Sequence, residues 1–164
     1  MIRGHELCRT QCGVAGSKTG ASMRVISLNL NGIRSAHSKG LYKWLARQRA
    51  DIICLQETKA HIEQLSDDIR SPGRWYTYFF DAAKKGYGGV AIFSKREPDC
   101  VTKGLGFDEF DREGRYIQAD FGSLSVSSLY LPSGSSGDAR QQMKFLFMKR
   151  FEPWLKKARR RKEN

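Results

Sequence analysis

The chain has 164 residues, enough for one domain with a sizeable core, because a chain of about 150 residues buries roughly 70% of the surface that its unfolded form exposes. Hydrophobic residues make up 40% of the sequence, which excludes global disorder, and the formal net charge of +12 favours a polyanion as partner. No run approaches the ~18 apolar residues of a membrane span, so we expect no membrane contact.

The two ends of the chain differ in composition from the middle. Residues 1–22 are rich in Gly, Ser, Thr and charge without periodicity, which predicts a disordered leader. Residues 23–158 carry the predicted elements, and residues 159–164 are predicted to form a basic tail. The four cysteines show neither disulfide nor zinc spacing, which is typical of a reducing, cytoplasmic setting.

A β-α-β unit is predicted directly after the leader. Its parts are a strand over 24–30, a short amphipathic helix over 41–49, and a nearly continuous apolar strand over 52–56 that should be buried on both faces. The connections between the later strands are Gly-rich or short and polar, as in hairpins, and these strands are predicted at 75–80, 89–94, 115–121 and 124–131. The sheet is therefore predicted to be mixed.

A last helix is predicted from Asp138, with an interruption at Pro153. Its apolar face is marked by i, i+4 spacing of Met143, Phe147, Phe151 and Leu155. No strand follows this helix in the sequence, so we expect the apolar face of the sheet to be only partly covered.

Polar side chains follow the first two predicted strands. Asn29 and Asn31 lie where the first strand meets a glycine turn, a pattern that also suits plain turn chemistry. Glu57 ends the buried strand, either as a solvated charge or as an oxygen ligand for Mg²⁺. If the two strands are neighbours, their carboxyl ends bring Glu57 beside both asparagines, in the crevice where open α/β sheets bind ligands.

Five segments occur in a fixed order: SLNLNGIR (27–34), DIICLQETK (51–59), GYGGVAIFS (86–94), EGR (113–115) and LYLP (129–132). This series resembles the consecutive motifs of exodeoxyribonuclease III and its abasic-site endonuclease relatives, in the endonuclease/exonuclease/phosphatase superfamily. The resemblance implies the amino-terminal half of the nuclease fold, a partial four-layered α/β sandwich of mixed sheets.

The resemblance also implies roles for individual residues. Asn29 and Glu57 would belong to the cluster that holds Mg²⁺, with Mn²⁺ as an alternative, and Tyr130 would be the active-site tyrosine whose hydroxyl donates to a phosphate oxygen. We expect Asn29, Glu57 and Tyr130 to converge at one end of a single mixed sheet. The resemblance further implies supporting positions around this cluster: Asn31 and Lys59 next to the metal ligands, and Arg34, Gly86 and Tyr87 along the DNA backbone.

The implied reaction is hydrolysis of a phosphodiester in double-stranded DNA, either 5′ to an abasic site or stepwise from 3′ ends, by metal-activated water. In the family a Gly-Asp-x-Asn segment and a later Asp-His pair complete the catalytic cluster. Neither occurs in the 164 residues, so we expect this chain to be weak or inactive by itself.

Two other functions fit parts of the same pattern. A superfamily member acting on a phospholipid or soluble phosphate ester would keep Asn29 and Glu57 but would not need the basic balance or the Gly86-Tyr87 pair. A basic module that binds nucleic acid without cleaving it would need the charge alone. Metal-dependent cleavage that requires Glu57 separates an enzyme from a binder.

Overall fold

A computed structural model describes residues 23–134 and 137–163, so the predicted leader over 1–22 lies outside the described residues. The strands are β1 (Val25–Asn29), β2 (Ile52–Gln56), β3 (Tyr76–Phe80), β4 (Val90–Ser94), β5 (Cys100–Lys103), β6 (Tyr116–Phe121) and β7 (Leu124–Leu129). The helices are α1 (Ile33–Ser38), α2 (Leu41–Arg47), α3 (Asp67–Arg70), α4 (Asp108–Asp111) and α5 (Asp138–Glu163), and one 3₁₀ turn spans Ile62–Gln64.

The first sheet has the strand order β1-β2-β4-β3. The α1–α2 crossover returns the chain in the same direction, so β1 and β2 are parallel, while β4 is antiparallel to both β2 and β3. The predicted mixed sheet is therefore confirmed. Its central strands are apolar on both faces, because β2 and β4 each lie between two covering layers.

The second sheet is antiparallel, with the order β5-β6-β7. It stacks on the first sheet through a shared core that combines Ile52, Cys54, Val90 and Ile92 with Ile117, Ala119 and Phe121. Helices α1, α2 and α3 cover the other face of the first sheet, and α4 and α5 contribute to a third core on the second sheet. The layers are thus helix, sheet, sheet and helix, which confirms the predicted four-layered α/β sandwich.

The expected uncovered sheet face is not what the described residues show. Each sheet buries the inner face of the other, and the exposed apolar side chains are spread over several elements: β1, α2, the edge strand β3, β7 and α5. Val25 in β1 is 45% exposed, and Phe145 and Leu155 in α5 are 58% and 52% exposed.

The predicted interruption of the last helix at Pro153 is wrong, because α5 runs through the proline to Glu163. Aromatic side chains on both sides of Pro153, Phe151 and Trp154, pack on the second sheet and hold the helix in line. The predicted apolar face is half right: Phe147 is fully buried, whereas Met143 is 39% exposed and Leu155 also faces solvent.

Candidate active site

The carboxyl ends of β1 and β2, which we call the site edge, bring the predicted polar residues together. Asn29 pairs with Gln56 in the parallel register, so the residues that follow each strand leave the sheet side by side. The backbone N–H of Gly32 donates to the carbonyl of Glu57 at 2.8 Å. The next N–H, of Ile33, donates to the carbonyl of Thr58 at 2.9 Å, which continues the pairing past the ends of the strands.

The Glu57 carboxylate is the centre of the site edge. The amide nitrogen of Asn29 donates to its Oε1 at 2.7 Å, and the Lys59 ammonium lies 2.8 Å from its Oε2. The Tyr130 hydroxyl is also close enough to this carboxylate to lower its pKa. The Glu57 side chain is 16% exposed, so the carboxylate is surrounded by three polar groups and still reaches solvent.

These contacts determine the charge state of the carboxyl. Partial burial raises the pKa of Glu57, but the hydrogen bonds from Asn29, Lys59 and Tyr130 together lower it by more than burial raises it. The pKa of Glu57 is therefore below its ordinary value. Burial and the neighbouring Glu57 charge raise the pKa of Tyr130. At neutral pH the site therefore holds an ionised carboxylate and a protonated phenol.

The backbone of the site edge is strained. Asn31, Glu57 and Lys59 have φ values of 49°, 53° and 49°, in the left-handed region that non-glycine residues rarely adopt. Such residues cost about 1–3 kcal/mol each and persist where their surroundings hold them, which is common at functional sites. Here the Glu57 and Lys59 side chains both face the asparagines, Glu57 contacting Asn29 and Lys59 contacting Asn31.

Two glycines hold that strained segment in place. Lys59 and Thr58 donate their N–H groups to the carbonyls of Gly88 and Gly89 at 3.0 and 3.1 Å. A Cβ on Gly88 would collide with the Glu113 carbonyl, and one on Gly89 with the Thr58 hydroxyl. Sequence reasoning named the preceding pair, Gly86 and Tyr87, and missed these two, although the GYGG run contained the signal.

Tyr130 reaches Glu57 from the second sheet, because it directly follows β7. The expected convergence of Asn29, Glu57 and Tyr130 is observed, but the expectation that all three end strands of one sheet is wrong. The site lies where the two stacked sheets meet. Strand order along the sequence could not distinguish these arrangements, since stacking is a long-range contact.

Arg115 links Tyr130 to the loop between β3 and β4. Arg115 is 3% exposed, and its guanidinium pairs with Glu113 at 2.5 Å. It also donates to the Tyr130 carbonyl at 3.0 Å and to the Tyr87 hydroxyl at 3.3 Å, and lies 4.9 Å from the Tyr130 ring centre. Arg140 of α5 reaches the same Tyr87 hydroxyl at 3.4 Å.

The remaining predicted residues lie around this centre. Asn31 accepts a hydrogen bond from Lys59 on its side-chain oxygen, and its N–H donates to the Asn29 side-chain oxygen at 3.0 Å. Arg34 is exposed in the first turn of α1, and Gly86 is exposed with a φ of 72° in the loop before β4. Neither has a contact that ties it to Glu57, so their predicted role at the DNA backbone stays a prediction.

The oxygen donors at the site edge suit a hard cation that keeps water and substrate among its ligands. Among the described residues no group of three or more His, Cys, Asp or Glu could hold an ion. Mg²⁺ is commonly bound through one or two carboxylates plus water and substrate phosphate, and the Glu57 carboxylate with its open side fits that pattern. The Asn29 oxygen faces the Asn31 N–H, so Asn29 orients Glu57 here and its role as a metal ligand stays a prediction.

Comparisons with known proteins agree with the family that the sequence motifs resemble. Residues 26–160 match the Endonuclease/Exonuclease/phosphatase family. The exodeoxyribonuclease of Bacillus subtilis is 42% identical over 116 residues, covering 70% of this chain and 45% of the relative. The DNA repair nuclease APEX1 of Danio rerio is 38% identical over 124 residues, covering 73% of this chain and 39% of the relative.

Solved structures agree with this match. An AP endonuclease from Archaeoglobus fulgidus has a TM-score of 0.71 and 30% identity, over 83% of this chain and 52% of that one. The chain thus spans less than half the length of the two curated relatives and about half of the solved structure. No helix in the described part of the chain is long and apolar enough to cross a membrane.

Proposed function

The chain belongs to the endonuclease/exonuclease/phosphatase family, as its motifs predicted, and on that premise we propose that its site serves metal-dependent hydrolysis of DNA phosphodiesters. The observation that carries the proposal is the ionised Glu57 carboxylate, held by Asn29, Lys59 and Tyr130 with one side open to solvent. An acidic oxygen ligand beside a phenolic donor and a cation suits a phosphate substrate.

Each residue of the site edge has a role in this proposal. Glu57 holds the ion, and Asn29 keeps the carboxylate oriented. Bound Mg²⁺ or Mn²⁺ supplies charge that polarises the phosphoryl oxygen and stabilises the leaving oxyanion. The Tyr130 hydroxyl donates to a phosphate oxygen as charge develops there.

The substrate is proposed to be double-stranded DNA with an abasic site or a free 3′ end. Arg34, Gly86 and Tyr87 contact its phosphates in this proposal, and the net charge of +12 supplies the non-specific attraction. A cytoplasmic location is also part of the proposal, since the four cysteines of the sequence show neither disulfide nor zinc spacing.

The test measures cleavage of a labelled duplex that carries one abasic-site analogue, with Mg²⁺ or EDTA. We expect slow, Mg²⁺-dependent cleavage 5′ to the analogue, lowered about 100-fold or more in Glu57→Gln. The exposed Glu97→Gln is the matched control and should cleave as the unmodified chain does. Cleavage that survives Glu57→Gln, or that ignores EDTA, would contradict the proposal.

A second function, DNA binding without cleavage, is favoured by the single carboxylate at the site edge together with the high positive charge. Binding of that kind should weaken steeply with salt and should be the same in Glu57→Gln. Duplex binding without any Mg²⁺-dependent cleavage would favour this second function over the first.

A further inference from the structure

Lys59 places a positive charge on the carboxylate proposed to hold the metal ion. Its ammonium lies 2.8 Å from Glu57 Oε2 and also donates to the Asn31 side-chain oxygen. The other two donors to Glu57, from Asn29 and Tyr130, are neutral. Lys59 is therefore the charged member of the three, and it occupies the carboxylate oxygen opposite the one that Asn29 contacts.

This position is built into the backbone. Lys59 has a φ of 49°, and its N–H is fixed by the Gly88 carbonyl at 3.0 Å. With this backbone angle the Lys59 side chain contacts both Glu57, two positions earlier in the chain, and the Asn31 side-chain oxygen. Two hydrogen bonds thus hold the Lys59 ammonium next to Glu57: the backbone N–H of Lys59 donates to Gly88, and its ammonium donates to Asn31.

We propose that the Lys59 ammonium is a built-in counter-ion that a divalent cation must displace from Glu57, so that Lys59 sets the metal concentration at which the site fills. The inference rests on the proposed metal role of Glu57. A divalent ion and an ammonium repel each other strongly at contact distance, so both cannot bind the same carboxylate oxygen. The Lys59 side chain is 33% exposed, which leaves it room to move aside.

Competition of this kind has a measurable sign. Removing the ammonium while keeping the length of the side chain should make Glu57 a better ligand, by about two- to fivefold in affinity, the range expected for losing one partly exposed ion pair. A lysine that only stabilises the loop would produce no gain, because its loss would leave the carboxylate less well held.

The experiment is a Mn²⁺ titration of the full 164-residue chain, with free Mn²⁺ measured by electron paramagnetic resonance. We expect Lys59→Met to bind Mn²⁺ about two- to fivefold more tightly than the unmodified chain. Lys95→Met is the matched control, because Lys95 pairs with Asp51 at 3.7 Å and its loss changes the net charge equally. Its affinity should not change, and the gain should vanish in Lys59→Met combined with Glu57→Gln.

The outcomes separate the inference from the proposed function. If Glu57→Gln lowers Mn²⁺ affinity but Lys59→Met gives no gain, the inference alone is overturned. If Glu57→Gln has no effect on any variant, the metal role of Glu57 is overturned as well. Lys59→Gln keeps a donor for the Asn31 oxygen and should show the same gain, so loss of folding in both Lys59 variants would identify a structural lysine and overturn the inference.

Discussion

At the site edge, polar contacts join residues with unfavourable backbone angles, whereas α5 meets the second sheet through aromatic rings. Phe110 and Phe147 pack edge to face with ring centres 4.9 Å apart, and Tyr116 and Trp154 do so at 5.0 Å. Phe147 and Phe151 stack at 5.5 Å. The aromatic contact therefore stabilises by burial and ring geometry, in a part of the fold with no role in the proposed chemistry.

The site edge has the opposite balance. Of the four non-glycine residues with positive φ among the described residues, three lie there. Strain and an exposed polar cluster lower stability. The loop that contains Gly88 and Gly89, which we call the glycine loop, and the buried Arg115 hold the arrangement in place. Changes in the aromatic contact should therefore alter stability most, and changes at the site edge should alter binding and chemistry with smaller losses of stability.

The largest expected loss of stability is in the aromatic contact. Phe147→Ala should lower the free energy of unfolding by about 3–5 kcal/mol, because it removes a fully buried ring and leaves a cavity. Phe145→Ala, two residues away and 58% exposed, is the control and should stay within about 0.5 kcal/mol of the unmodified chain. Urea unfolding followed by tryptophan fluorescence measures both. Similar losses in the two variants would show that α5 is not docked as described.

The next largest effect is expected at the glycine loop. Gly89→Ala should cost about 3 kcal/mol, since Gly89 has a φ of 81° and an added Cβ collides with the Thr58 hydroxyl. Gly122 has a similar φ of 63°, but an added Cβ there would meet no atom within 4 Å, so Gly122→Ala should cost only about 1 kcal/mol. Differential scanning calorimetry of the pair isolates the collision, and equal costs would mean that the loop relaxes away from Thr58.

A smaller effect is expected at Arg115. Arg115→Lys keeps the charge but loses the planar guanidinium that donates hydrogen bonds to Glu113, Tyr130 and Tyr87. We expect it to lower the free energy of unfolding by about 2 kcal/mol. Arg70→Lys, in an exposed pair with Asp67, should cost less than about 0.5 kcal/mol. Chemical denaturation of both variants checks this. An Arg115→Lys variant that is as stable as the unmodified chain would show that the buried guanidinium is not what holds Tyr130.

The smallest effect concerns pH. Burial raises the pKa of Asp81 above its ordinary value, although the Ile62 N–H and the His61 and Lys103 charges lower it. A carboxyl whose pKa is raised in the folded state contributes stability below its unfolded pKa of about 3.9 and loses it as pH rises through the folded pKa. Asp81→Asn keeps an acceptor for Ile62 and should therefore melt slightly higher at pH 7.

The matching measurement is made below the unfolded pKa. At about pH 3.5 the Asp81 carboxyl is largely protonated in both states, so the gain of Asp81→Asn should shrink toward zero. Melting curves at the two pH values test the sign. An Asp81→Asn variant that is less stable at pH 7 would mean that the charged carboxylate is favoured in the fold.

Local sequence patterns predicted much of the framework and part of the site. The apolar run over 52–56 predicted a strand buried on both faces, and the crossover predicted its parallel pairing with β1, which together placed Glu57 beside Asn29. These features depend on local periodicity and on the geometry of a short connection, and both are written in consecutive residues. The ordered motifs were enough to identify the family.

The way in which the two sheets share the site depends on long-range packing. Tyr130 approaches Glu57 from the second sheet, Arg115 ties Tyr130 to Tyr87, and Gly88 and Gly89 make room for the strained segment. The continuity of α5 through Pro153 was decided in the same way, by aromatic packing on both sides of the proline. Each of these depends on distances between groups far apart in sequence, which side-chain packing determines and which the local pattern of residues does not encode.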